Sequence, residues 1–226
     1  ATSSGVPSLI AGTIAAGDSA PAWTQSFNNK NVGVGTKVLT PAGLVNDGNS
    51  GLNYSYTYAT VSTGTINQLS ITVTAVSDSK AYDGLVTSIG VPLLSGTTPL
   101  APGDTAPVWS QTFANKNVGT GKTINPSGLV NDGNGGNNYA YSFVPDVSGV
   151  ITARAITVTA LTDTKTYDDT TASSVAPNLN PALVGADTSA FLQTFDTSDA
   201  GTNKTLTPSG TVNDGNSGLN YAITFA

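Results

Sequence analysis

Apolar and aromatic residues occupy alternate positions in short runs along this chain. Trp23, Gln25 and Phe27 share one side of such a run, with Thr24 and Ser26 on the other. Trp109, Gln111 and Phe113 repeat the arrangement, and Phe191, Gln193 and Phe195 keep it with Phe replacing Trp. Tyr54, Tyr56 and Tyr58 alternate with Ser55 and Thr57; Tyr139, Tyr141 and Phe143 follow the same rule, as do Tyr221, Ile223 and Phe225. A period of two is that of a half-buried strand. The aromatics are therefore expected to form the cores of small β domains, with a ligand groove as the alternative.

The runs recur at a fixed spacing. LVNDGNSGLNY at 44–54 returns as LVNDGNGGNNY at 129–139 and TVNDGNSGLNY at 211–221, which are intervals of 85 and 82 residues. ITVTA at 71–75 returns at 156–160, and SDSKAYDG at 77–84 has its partner in TDTKTYDD at 162–169, which pairs Tyr82 with Tyr167. The sequence is a tandem array. NDGN is turn chemistry: Asn and Asp bond to their own backbone, and Gly takes positive φ at no steric cost. Each domain needs that turn ahead of its Tyr-rich strand, so the turn appears once per domain.

The phase of the array predicts three repeats. Residues 1–67 lack an opening strand and a YDG turn, 68–152 are a whole copy, and 153–226 lack a closing strand. The reading preferred is a window from a longer array; subunits that complete each other by lending strands are the alternative. Residues 64–75 read as one extended run whose apolar positions change parity midway, with Ile66 even and Leu69, Ile71 and Val73 odd. A strand that changes its buried face would close one domain and open the next. The expected object is all-β: three small domains, β-sandwich or β-grasp-like, joined by shared long strands into an extended rod.

Composition narrows the chemistry. All 14 acids are Asp; there is no Cys, His, Met or Glu, and seven Lys with Arg154 leave a net charge of −6. Helix-favouring residues are scarce, while Thr, Val, Ile, Tyr, Asn and Gly abound. Without His or Cys the commonest general base and the best thiol nucleophile are missing, so an enzyme is not expected. The low basic content argues against nucleic acid and against an anionic membrane. No run approaches the length of a membrane helix. The opening ATSSGVPSL, without Met, reads as a processed product or an excised segment.

The order SKAYDG, then GD, then FANKNVGTGK, then SGLVNDGNGGNNY, then ITARAITVTA resembles the YDG repeat of filamentous-haemagglutinin-like bacterial adhesins. The resemblance covers essentially the whole chain. It implies a long secreted or surface-anchored protein in which such domains form a stalk, and it supplies no catalytic residues. The third copy departs from the pattern. It reads Tyr167-Asp168-Asp169 without the Gly, and Asp199-Ala200-Gly201-Thr202-Asn203-Lys204 in place of NVGTGK.

Two chemistries compete with plain turn roles in these loops. Asp47, Asp132 and Asp214 sit in Asn/Gly-rich loops that offer oxygen ligands for calcium, the one cofactor considered. Calcium takes six to eight oxygens, usually several from carboxylates, and each loop holds one acid. They are read as turn residues. Lys37, Lys122 and Lys204 recur beside Asn-rich segments where a Lys–Asn cross-link is conceivable; a surface lysine is the reading preferred.

The expected function is a non-catalytic stalk or fibre segment of an extracellular bacterial surface adhesin. Its partners would be neighbouring repeats of the same or an identical chain. The alternatives are an adhesive module for a surface glycan or protein, and a filament subunit assembling by strand exchange.

Overall fold

In a computed structural model the described residues, which are all except 97 and 98, form fifteen strands and no helix. The molecule is all-β. β1 (Thr24–Phe27), β2 (Gly33–Ala42) and β3 (Val61–Ile66) make an antiparallel sheet, with Phe27 opposite Leu39 and Lys37 opposite Gly64. β4 (Leu69–Thr74) pairs antiparallel with β6 (Leu93–Ser95). β5 (Ser79–Ala81), β7 (Ser110–Phe113), β8 (Gly119–Ser127) and β10 (Asp146–Thr152) form a four-stranded sheet in the order β5-β10-β8-β7. β9 (Tyr139–Val144) follows the second NDGN turn.

In the third repeat, β11 (Arg154–Thr159) lies between β12 (Asn178–Asn180) and β15 (Tyr221–Phe225). β13 (Thr188–Phe195) and β14 (Leu206–Asn213) form a two-stranded antiparallel sheet of their own. β10 runs parallel to β5 and β11 parallel to β15. That mixture sets the domains apart from a wholly antiparallel immunoglobulin-type sandwich.

Two sequence expectations are corrected. The junction between repeats is not one continuous strand. It breaks at 67–68 between β3 and β4, and at 153 between β10 and β11, whose partners lie in different sheets. The change of buried face is real, since Ile151, Ile156 and Val158 are all buried. The backbone makes that change by leaving one ladder before joining the next. The segment 54–58 is not a strand either. Its counterpart β15 is held by five parallel pairings with β11. A strand needs such a partner for its backbone groups, and no corresponding one stands beside Tyr54, Tyr56 and Tyr58 among the described residues.

Two compact units do not coincide with single repeats. One comprises Ala1–Ile71, Gly96–Pro107 and Leu129–Ser142; the other comprises Thr72–Ser95, Val108–Gly128 and Phe143–Ala226. The second unit holds a continuous core of Ala75, Tyr82, Phe113, Ile124, Ile151, Ile156, Val212 and Tyr221. Burying side chains such as Phe113 and Ile124 contributes about 1.5–3 kcal/mol each.

The alternating Gln is also part of this packing. Gln111 Oε1 accepts the Val76 N–H, and its Nε2 donates to Val76 O and Ser88 Oγ, each at 2.9 Å. Gln193 repeats this with Leu161 N at 2.8 Å, Leu161 O at 2.7 Å and Ser173 Oγ at 3.1 Å. Each Gln thus anchors the chain that leaves β4 or β11 to the neighbouring hairpin, satisfying backbone groups that burial would otherwise leave without partners.

Candidate functional site: the seam between repeats

Each NDGN turn is organised around its aspartate. Asp132 Oδ1 accepts the N–H of Asn134 at 2.6 Å and of Gly136 at 2.9 Å, and Oδ2 accepts that of Asn138 at 2.9 Å. Asp47 does the same with Asn49, Gly51 and Asn53, and Asp214 with Asn216, Gly218 and Asn220. The glycine after each acid has φ near 72°, which admits Gly at no steric cost. Burial works against the ionised form of Asp132 and Asp214, yet the three N–H donors hold both below the usual carboxylate range. The carboxylates are thus committed to the backbone of their own turns, and no cluster of three or more metal-type side chains stands among the described residues.

The residue closing the second turn, Asn138, and the one closing the third, Asn220, each carry an amide that meets the preceding repeat. In the first unit, Val32 donates its N–H to Asn138 Oδ1 at 2.9 Å, and Asn138 Nδ2 donates to Asn31 Oδ1 at 3.3 Å. Beside them Lys30 Nζ sits 2.7 Å from Asp104 Oδ1. In the second unit, Val118 donates to Asn220 Oδ1 at 2.9 Å and Asn220 donates to Asn117 Oδ1 at 3.3 Å. Lys116 Nζ lies 3.6 Å from Asp187 Oδ1. One Lys-Asn-Val loop and one Asp–Asn face thus build the same contact twice.

Tyrosines support the acidic side of the seam. Tyr139 donates to Asp104 Oδ2 at 2.9 Å while its oxygen accepts the Ala101 N–H at 2.9 Å. Tyr221 repeats this with Asp187 at 2.8 Å and the Val184 N–H at 3.0 Å, and Tyr54 does so with Asp18 and Ala15. Lys30, and after it the Tyr139 hydroxyl, hold Asp104 below the usual carboxylate range. Burial, reinforced by the hydrogen bond to Asp187, pushes the Tyr221 phenol up to about 12.

The YDG tyrosine belongs to the same seam. Tyr82 donates to Asp187 Oδ2 at 2.9 Å, packs edge-on against Tyr221 at 5.4 Å, and lies under Lys116. It is 1% exposed, whereas its counterpart Tyr167 is 60% exposed and contacts Asp169.

The expected aromatic positions, the alternating Trp/Phe pair and the Tyr after each NDGN turn, are buried in the second repeat, half-buried in the first and mixed in the third. Trp109, Phe113, Tyr139 and Tyr221 are buried, whereas Trp23, Phe27, Tyr54, Phe191 and Phe195 are half-buried. The lysines beside the Asn-rich segments are held inside their own hairpins: Lys37 by Asn29, Lys122 by Asn115 and Lys204 by Thr197. Lys37 is buried, against the expectation of a surface residue. Sequence reasoning passed over Lys30, Lys116, Asp104 and Asp187. Their signal was present, since both the Lys-Asn-Val triplet and the Asp ahead of the first strand return with the period.

A family model described as the YDG domain matches residues 66–146 and 152–226, well over half of the chain. No curated protein and no solved structure matches it.

Proposed function

Because this chain belongs to the YDG domain family, we propose that it is a structural segment: a non-catalytic stretch of stalk in an extracellular bacterial surface adhesin. Its three repeats would stand in a row as a rod. The observation that carries the reading is the seam, where Lys30 and Asn31 meet Asp104 and Asn138, and Lys116 and Asn117 meet Asp187 and Asn220. A contact built twice from the same residue types is what a regular array of repeats requires. The polar groups of the seam end on one another, which is what a joint needs and what a ligand site does not.

Arrays of this kind draw stability from each repeat and from each nearest-neighbour interface. A rigid seam also resists bending in a way that a Gly/Ser linker cannot. The adhesin setting and the cell-surface location rest on the resemblance of the repeats to those of large bacterial adhesins. The partners under this reading are further repeats of the same kind.

Small-angle scattering tests it. A compact globule of this length has a radius of gyration of about 17 Å. Three repeats in a row give a clearly larger value that does not change with concentration, and breaking the seam with Asn138→Ala and Asn220→Ala broadens the distribution of lengths. A compact particle, or a double variant with unchanged scattering, would overturn the reading.

A further inference from the structure

Two interior strands meet where the second repeat passes into the third. β10 lies between β5 and β8, and β11 lies between β12 and β15. Only Ala153 separates them. Tension along the chain therefore reaches both strands at once, drawing β10 toward its C-terminal end and β11 toward its N-terminal end. Neither is an edge strand, so each has to slide past two neighbours before it can leave its sheet.

The pull runs along the ladders rather than across them. β10 is parallel to β5, with Val150, Ile151 and Thr152 beside Ser79, Lys80 and Ala81. The N-terminal end of β5 and the C-terminal end of β10 therefore lie at opposite ends of the pair. Drawing those ends apart shears the pair, and its hydrogen bonds share the load and break together. Two antiparallel strands pulled at adjacent ends give up one rung at a time instead. β11 repeats the arrangement, parallel to β15 and antiparallel to β12.

Side chains oppose sliding as well. Ile151, Ile156 and Val158 are buried, and a slip of one residue would turn each to the opposite face. Gly149 fits so closely that an added Cβ would come within 2.8 Å of Lys122 O, and β10 shifts register against β8 on both sides of it. The chain entering β5 is braced in turn. Gln111 holds the N–H and C=O of Val76, and Asp78 Oδ2 accepts the Ile89 N–H at 2.9 Å. Val150 donates its N–H to Asp78 O at 3.0 Å, and Tyr82 donates its own to Thr152 O at 2.9 Å, which ties both ends of the β5–β10 pair.

We propose that β10 and β11 form a mechanical clamp, a load-bearing function in which tension along the chain is carried as lengthwise shear through residues 146–159. The clamp is a property of these sheets; its use, holding a stalk under pull, rests on the structural reading above. The two are separable, because scattering reads length without load. A compact particle with a strong clamp would sink the stalk alone, and a rod with a weak clamp would sink this proposal alone.

Single-molecule force spectroscopy on the full chain tests it. The sequence contains no Cys, so two introduced thiols are unique handles. Ser77→Cys with Thr152→Cys loads β5 and β10 at opposite ends, in shear. Thr120→Cys with Thr152→Cys loads β8 and β10 at adjacent ends, since Gly119 stands opposite Ile151, and unzips them. All three positions are exposed, and both double variants should melt with wild type. Ala153→Cys replaces Thr152→Cys as the shared handle in both pairs if the melting curves differ. Forced unfolding reads the unfolding barrier, and at equal pulling rate the shear pair should rupture at about twice the force of the unzipping pair or more. Equal forces in the two directions, or a weaker shear pair, would overturn the proposal.

Discussion

Val118 gives its backbone N–H to Asn220 Oδ1 at 2.9 Å across 102 residues of sequence, and Val32 stands in the same relation to Asn138. The third member of the set, Asn53, is exposed and accepts from Asn49 within its own turn. A buried hydrogen bond whose loss leaves a partner unsatisfied is worth about 1–3 kcal/mol, and an exposed position far less. Asn220→Ala should therefore destabilise the chain by about 1–3 kcal/mol, and Asn53→Ala by less than about 0.5 kcal/mol. Urea unfolding of the two variants decides it: equal effects would show that the seam adds nothing to the turn.

Gly149 is required by packing rather than by backbone freedom, since its Cβ would meet the Lys122 carbonyl and the Ile124 side chain. Crowding of this kind costs about 1–3 kcal/mol. Gly149→Val is expected to reach the upper end of that range, because one of the two neighbours is backbone. Thermal melting against wild type measures it, and a loss below about 0.5 kcal/mol would place β10 differently in its slot.

Gln111 carries two hydrogen bonds to Val76 and one to Ser88 from a site that is 2% exposed. Gln111→Leu keeps much of the volume and abandons the Val76 N–H and C=O. An expected loss of about 2–4 kcal/mol follows from two buried backbone groups left unpaired. Gln111→Glu separates charge from shape. It retains the acceptor for the Val76 N–H but sets a carboxylate against the Val76 carbonyl, and it should be no more stable than Gln111→Leu.

Alkaline pH should weaken the second unit. The Tyr221 phenol ionises at about 12 in the folded chain against an ordinary 10.0, with burial and Asp187 favouring its neutral form. The folded state then holds its proton more tightly than the unfolded state. That stabilisation is complete below pH 10 and is lost as the pH rises toward 12. Tyr82 and Tyr139 shift in the same direction. Melting temperature should fall from pH 9 to pH 11.5, and Tyr221→Phe should fall less steeply over that interval than wild type. Parallel slopes would detach Tyr221 from the effect.

Removal of divalent metal should leave stability unchanged. Asp47, Asp132 and Asp214 each accept three backbone N–H groups from their own turns. Their role is met without a cation. Melting curves with excess EDTA and with millimolar calcium should superimpose; a shift of several degrees between them would restore the calcium reading.

The period of 85 and 82 residues, the β character and the turn role of NDGN were all legible in the chain itself. Each is a local matter. Alternation follows from the pleat of a strand, and the turn follows from what Asn, Asp and Gly allow a backbone to do within five or six residues. The buried Gln was visible as an alternating position, but its role was not, because its partners lie 35 and 23 residues away.

Tertiary structure alone decided the rest. The alternation of Tyr54, Tyr56 and Tyr58 matches that of Tyr139, Tyr141 and Phe143, yet only the later segment is a strand, because pairing is made by a neighbour and not by a pattern. The parity change at 64–75 foretold a change of face and missed the break in the ladder that permits it. Tyr82 and Tyr167 share one motif and differ completely in burial, since one meets Asp187 and Tyr221 and the other meets solvent. The seam joins residues roughly 70 to 107 positions apart. No local periodicity encodes a contact at that range, and only the folded arrangement of one repeat against the next brings Lys116 to Asp187 and Val118 to Asn220.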